Sequence, residues 1–312
     1  MRRIGLVGCG VMGRRYARQL SQRASLFFYS RSRHSAEKFQ KGFQGEAIFD
    51  RFEDMLAAPE IEAVVIASPP ECHHEQVIGA LEAGKSVLVE KPMCVTPQQI
   101  DDIEQVLAGQ RRPFLMAAEN YYYKPLVALL KRLISEGFIG TLQSVDVKKL
   151  FSPNVVGWRS HCGALLEGGI HFIALISALV DAAPHEVAVE FPGHQPGQRE
   201  RRSIVWLKYP NGAVATLRYA WDMPSLTRGT FQHSYIVGDR GRITFESNGL
   251  YVWLGAERKR RLYLPHLRDF MGYDRMIQDF LTCLEDRSRR PYSDFDKAKR
   301  DLQIVFAAYR NL

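Results

Sequence analysis

Met1 to Arg15 reads MRRIGLVGCGVMGRR: the apolar run Ile4-Gly5-Leu6-Val7 leads directly into Gly8-Cys9-Gly10-Val11-Met12-Gly13 and then into a helix-like segment. Strand, glycine turn and helix in succession are the context that makes a Gly-x-Gly-x-x-Gly pattern a dinucleotide fingerprint. Each glycine has a physical task. Gly8 serves the tight turn, Gly10 lets backbone approach a pyrophosphate, and Gly13 allows close packing of helix on strand, with the phosphates at the helix N-terminus. Val11 and Met12 are expected on the same phosphate-binding turn. The alternative, a surface turn closed by glycines, accounts for neither the strand before it nor the helix after it.

The second strand is expected at Leu26-Phe27-Phe28-Tyr29. About 20 residues past the glycines, a NAD site places Asp or Glu on the ribose hydroxyls. Here the chain reads Ser30-Arg31-Ser32-Arg33. No carboxylate stands there to repel a ribose 2′-phosphate, and a hydroxyl with a guanidinium can bind one in fork geometry. NADP(H) is therefore the expected cofactor, held by Ser30 and Arg31, with NAD(H) the alternative. One of Arg31 and Arg33 is expected only to solvate the start of the next helix.

At 312 residues the chain is long enough for two domains. Hydrophobic residues at 46% and charged residues at 24% are ordinary globular values. No apolar run approaches the ~18 residues of a membrane span, and the sequence opens on a strand with no signal-peptide pattern, so a cytoplasmic protein is expected. The five cysteines, Cys9, Cys72, Cys94, Cys162 and Cys283, are scattered and never form CxxC, which supports neither a disulfide framework nor a metal site. Lys and Arg exceed Asp and Glu by 42 − 34 = 8, in clusters at Arg199 to Arg202, Arg258 to Arg261 and Arg287 to Arg290. These lie far apart and lack interleaved aromatics for base stacking. They read as solvated faces, so no nucleic-acid partner is expected, and part of the excess suits an anionic ligand.

Residues 1 to 118 alternate short apolar runs with helical stretches, with strands expected near Ile4–Val7, Leu26–Tyr29, Glu46–Ile48, Ala63–Ala67, Val87–Val89 and Phe114–Met116. That rhythm predicts βαβ units and a doubly wound parallel sheet, a Rossmann domain with its crevice at the strand carboxyl ends. Residues 119 to 312 read as an α+β substrate and oligomerisation domain. Helices are expected over Pro125–Glu136 and Gly168–Val180, and a strand over Leu142–Leu150. Further alternating segments from Glu186 to Leu264 predict a large, open, mainly antiparallel sheet. Two final helices, Tyr273–Glu285 and Asp294–Arg310, close the chain, the last of them a candidate to pack back on the first domain.

Further motifs follow in order: Ser68-Pro69-Pro70 with His73 five residues after Ser68, Glu90-Lys91-Pro92, Glu119-Asn120, Trp158-Arg159, and Glu167-Gly168-Gly169-Ile170-His171. Weak singly, in this order and spacing the sequence resembles the Gfo/Idh/MocA oxidoreductases over nearly its whole length. The resemblance implies a strand ending in Glu90-Lys91-Pro92 at the cofactor crevice with a cis Lys91-Pro92 bond. It also implies cofactor contacts from Ser68, Pro69, His73, Glu90 and Lys91.

A lysine at the end of a buried parallel strand is costly unless it faces a ligand, where its charge can assist proton transfer, so Lys91 is a catalytic candidate. His171 lies in an apolar stretch where a lone histidine is ordinarily a satisfied core residue. The family match makes it the general acid or base, with Glu167 four residues before it either passing the proton on or serving only as a helix-start residue. Two departures stand out: Glu167 replaces the Asp of many members, and Ala174 replaces an Asp that often contacts a sugar hydroxyl. Asn120, Tyr121, Tyr123, Trp158 and Arg159 are expected on the substrate side. Of the consecutive Tyr121, Tyr122 and Tyr123, at least one must pack in the core or lie on the surface.

The sequence thus predicts an NADP(H)-dependent oxidoreductase that passes hydride between nicotinamide and a carbinol or carbonyl carbon. The resemblance implies a sugar, keto-sugar, sugar nucleotide or polyol as small-molecule substrate, and a dimer or tetramer. Two rivals keep the same residues: a non-catalytic NADP-binding sensor, and a reductase of imines or conjugated double bonds, which asks less of His171.

Overall fold

A computed structural model describes residues 1–109, 113–154, 162–225, 227, 229–257, 259–310 and 312. The chain divides into two compact units, Met1–Glu119 with Asp274–Lys299, and Asn120–Tyr273 with Arg300–Leu312. Residues 274–299, which the sequence reading grouped with 119–312, thus belong to the first unit.

In the first unit the strands are β1 (Arg2–Val7), β2 (Ala24–Tyr29), β3 (Ala47–Phe49), β4 (Ala63–Ile66), β5 (Ser86–Val89) and β6 (Leu115–Ala117). They pair in parallel in the order β3-β2-β1-β4-β5-β6. Helices α1 (Val11–Leu20), α2 (Arg33–Phe43), α3 (Phe52–Ala57), α4 (His73–Glu82) and α5 (Pro97–Ala108) make the crossovers. Every residue of β4 and β5 is buried, as expected when helices cover both faces of a parallel sheet and strands become continuous apolar runs. Strand order reverses between β1 and β4, which places the ligand crevice at their carboxyl ends. The doubly wound Rossmann sheet is the one read from the sequence.

The second unit is built on an eight-stranded sheet in the order β14-β13-β12-β11-β7-β10-β9-β8. Its strands are β7 (Leu142–Leu150), β8 (Glu186–Glu190), β9 (Arg202–Lys208), β10 (Val214–Ala220), β11 (His233–Gly238), β12 (Gly241–Glu246), β13 (Val252–Ala256) and β14 (Lys259–Tyr263). All pairs are antiparallel except β7 with β10. Burial alternates along the strands: Val145 and Val147 on β7, Ala215, Leu217 and Tyr219 on β10, and Ile243 and Phe245 on β12 are buried. That period of two marks one covered face. Helices α6 (Pro125–Ser135) and α7 (Ile170–Val180) belong to this unit, and α7 packs on α6, β7 and β10. Nine of the eleven α7 residues are buried, which explains a helix apolar all round.

Two helices close the chain, α8 (Tyr273–Glu285) and α9 (Phe295–Tyr309). Among the described residues no helix is long and apolar enough to cross a membrane.

Candidate active site

The turn after β1 meets each requirement of the glycine pattern. Gly8 adopts φ +99°, and a Cβ there would lie 2.6 Å from the Ala67 carbonyl oxygen and 2.7 Å from the Ser68 nitrogen. A side chain at Gly8 is thus excluded by conformation and by the chain leaving β4. A Cβ on Gly13 would stand 2.0 Å from the Gly8 carbonyl oxygen, so only glycine lets α1 lie this close to the turn. A Cβ on Gly10 would meet nothing within 4 Å, and this open face leaves the backbone accessible to a bulky anion. Helix α1 starts on Gly10 with no side-chain cap and no acidic residue in its first turn, so its N-terminal N–H groups and dipole are uncompensated. Val11 is exposed and Met12 half-buried.

At the end of β2, Ser30 is half-buried and Arg31 exposed. Ser32 caps α2, its Oγ accepting from the Ser35 N–H at 3.3 Å. Arg33 donates to Glu37 at 3.1 Å and also pairs with Asp50. Arg33 is therefore the arginine occupied at the helix start, whereas Arg31 makes no ion pair among the described residues. Burial pushes the Cys9 thiol up to about 12, against the lowering effects of the Arg14 charge and a hydrogen bond with Ser30.

The chain leaving β5 is tied on both sides. The Tyr16 hydroxyl of α1 donates to Glu90, whose other carboxylate oxygen accepts the Lys91 N–H at 3.0 Å. Glu90 and Tyr16 are buried, so the carboxylate joins α1 to the end of β5. The Lys91–Pro92 bond is cis. His73 is fully buried, with Nδ1 2.9 Å from the Pro92 carbonyl oxygen and Nε2 2.9 Å from that of Ser68. Burial lowers its pKa and outweighs the two carbonyls, which raise it. With both ring nitrogens on backbone, His73 ties the β4 exit to the β5 exit. The Ser68 hydroxyl donates to Gln76 at 2.5 Å. The structure thus brings Gly8, Ser68, Pro69, His73, Glu90 and Lys91 to one end of the parallel sheet.

In the second unit, His171 is the second residue of α7, and its imidazole stacks on the Tyr121 ring at 4.9 Å and 14°. Tyr121 also meets Phe172 edge-on at 5.2 Å, and the Lys124 ammonium lies 4.4 Å from its ring centre. Lys124 is 1% exposed and donates to the Asn248 carbonyl at 2.8 Å. Asn120 donates its amide to the Met271 carbonyl at 2.7 Å. Tyr121, Tyr122 and Tyr123 are all buried; Tyr122 donates to Asp301 at 2.7 Å, and burial drives its pKa well up. Ala174 is fully buried, so its methyl packs in the core. Trp158 and Arg159 lie outside the described residues.

Glu167 is buried in a π-helical turn, Leu165–Gly169, that runs into α7. The sequence reading placed ordinary helix from Gly168. The turn packs closely on Tyr219: a Cβ on Gly168 would stand 2.1 Å from the Tyr219 hydroxyl, and that hydroxyl accepts from Trp221 Nε1 at 2.8 Å. The start of the turn is capped by residues the sequence reading missed. Glu200 Oε1 accepts from the Leu165 N–H at 2.8 Å and the Tyr309 hydroxyl at 2.7 Å, while the same hydroxyl accepts from the Leu166 N–H at 3.0 Å. Burial raises the Glu200 pKa, the largest of the effects on it. No local pattern announces this cap, because Glu200 is 35 residues from Leu165 and Tyr309 is 143 residues from Leu166.

The fold and these two residue sets define a dinucleotide-binding oxidoreductase. Residues 2–117 match the oxidoreductase family with a NAD-binding Rossmann fold, and residues 127–244 match the GFO/IDH/MocA C-terminal domain. The chain belongs to the Gfo/Idh/MocA family and is an NAD(P)-dependent oxidoreductase. It is 27% identical to trans-1,2-dihydrobenzene-1,2-diol dehydrogenase of Mus musculus, over 84% of this chain and 80% of that protein. It is 28% identical to dTDP-3,4-didehydro-2,6-dideoxy-alpha-D-glucose 3-reductase of Saccharopolyspora spinosa, over 78% and 74%. An oxidoreductase from Agrobacterium radiobacter, solved with NAD+, L-tartaric acid and magnesium, has the same fold, with a TM-score of 0.89 at 15% identity over 99% of this chain and 95% of that one.

Proposed function

We propose that the protein uses NADP(H) to move hydride to or from a carbinol or carbonyl carbon of a sugar, keto-sugar, sugar nucleotide or polyol. The observation that carries the cofactor choice is the end of β2. There Arg31 is exposed with no ion pair among the described residues, beside Ser30 and without a carboxylate, while Arg33 is taken by Glu37 and Asp50. The substrate class rests on relatives named for a diol and for a didehydro sugar nucleotide.

When bound, the nicotinamide supplies or accepts the hydride. Gly8, Gly10 and Gly13 admit the pyrophosphate, with Val11 and Met12 on the same turn. Ser68, Pro69 and Glu90 line the cofactor side, where His73 holds the Ser68 and Pro92 carbonyls. The Lys91 ammonium polarises the substrate oxygen, and His171 gives or takes its proton, with Glu167 as the partner that passes the proton on. Asn120, Tyr121, Tyr123, Trp158 and Arg159 contact the substrate. The cytoplasm is the proposed location.

The expected result is that NADPH binds more tightly than NADH by about 1 to 3 kcal/mol, the range for charge-assisted hydrogen bonds to the 2′-phosphate. Arg31→Ala should close most of that gap. Fluorescence titration reads both affinities, and equal affinity of the unmodified protein for the two nucleotides overturns the assignment.

We also assign a dimer or tetramer formed through the large sheet, where the cross-strand neighbours Trp253 and Leu262 are 45% and 53% exposed. Analytical ultracentrifugation at micromolar concentration should show one of these assemblies, and a monomer there refutes it.

A further inference from the structure

Helix α1 carries Arg14 and Arg15 directly after Gly13, near its N-terminal end. Cations there face the positive end of the helix dipole, an arrangement that an anion nearby would relieve. The Arg14 guanidinium carbon lies 5.1 Å from the centre of the Phe39 ring of α2, a cation–π contact that leans it toward the helix following Ser30 and Arg31. Its charge reaches the Cys9 thiol inside the glycine turn, and that thiol shares a hydrogen bond with Ser30. Arg14, the turn and the end of β2 are therefore one neighbourhood. Among the described residues neither Arg14 nor Arg31 makes an ion pair, and the first turn of α1 holds no carboxylate.

We propose that Arg14 is a second guanidinium for the ribose 2′-phosphate, meeting it from α1 while Ser30 and Arg31 meet it from the end of β2. The assignment rests on the NADP(H) reading above. It makes coenzyme choice a property of two elements, so an exchange confined to Ser30 and Arg31 leaves part of the preference in place. The planar fork of arginine suits two phosphate oxygens at once, whereas lysine offers only a point charge.

The test uses the adenosine fragments 2′,5′-ADP and 5′-AMP as probes in calorimetric titrations of the full chain. Arg14→Gln should weaken 2′,5′-ADP about 10-fold and change 5′-AMP less than about twofold, and Arg14→Lys should give an intermediate loss. An equal loss for both probes would move Arg14 to the phosphate they share and overturn the proposal, as would unchanged affinity for both in Arg14→Gln. If the unmodified protein binds the two probes equally, the NADP(H) reading itself falls and this assignment with it. Arg31→Ala separates the cases: an effect there without one in Arg14→Gln refutes Arg14 alone.

Discussion

Lys91→Met should reduce turnover at least ~100-fold, about 2.7 kcal/mol of barrier, on the best substrate found in a panel of carbonyl compounds. The reasoning starts from the end of β5. The four residues of that strand are buried, Glu90 after them is buried, and Lys91 is the first position that is partly exposed. The contact that fixes this exit is made by the Lys91 backbone N–H to Glu90, so a methionine keeps it. His73 holds Pro92 through a carbonyl that the substitution also leaves alone. Methionine nearly matches the lysine stem in length and removes only the ammonium. The expected signature is thus a split: kcat collapses, the NADPH dissociation constant moves far less, and thermal stability stays close to that of the parent. Normal turnover in the variant would make Lys91 a structural residue.

The parts of this protein that were legible in the sequence are those whose physics is local. Gly8 and Gly13 are demanded by carbonyls within the same turn and in the adjacent loop, and the apolar runs of β1, β4 and β5 need only a count of consecutive buried residues. Strand Leu142–Leu150 and helix Tyr273–Glu285 were readable to the residue for the same reason. What escaped depends on partners far along the chain. The π turn that carries Glu167 packs against Tyr219 and is capped by Glu200 and Tyr309, none of which its own five residues announce. The three tyrosines after Asn120 illustrate the same limit. Sequence logic requires only that at least one pack in the core or lie on the surface; all three are buried, Tyr122 bonded to Asp301 and Tyr121 stacked on His171. Lys124, which the sequence did not single out, is shown only by the fold to hold its ammonium among Tyr121, Phe270 and the Asn248 carbonyl.

The stack of His171 on Tyr121 makes the second large effect separable from packing. His171→Asn should lower kcat/KM by ~100- to 10,000-fold, the range for loss of a positioned general acid or base. Asparagine also forfeits the ring contact, which is worth only about 0.5 to 1.5 kcal/mol, too little to unfold a helix whose nine buried residues remain in place. His171→Phe supplies the control, because it keeps a ring against Tyr121 and carries no transferable proton. Both variants should be equally slow if proton transfer is the task, whereas an active His171→Phe would assign the imidazole to packing. Glu167→Gln then asks whether the proton travels further. A loss of about 10-fold, with Glu167→Asp close to the parent, fits a carboxylate relay, while an unchanged rate makes Glu167 a helix-start residue and sends the proton through Lys91 or water. Should His171→Asn and His171→Phe both turn over normally, the oxygen of a carbinol is not what this site protonates. Hydride delivery to an imine or a conjugated double bond, which asks less of His171, then becomes the reaction that these residues serve.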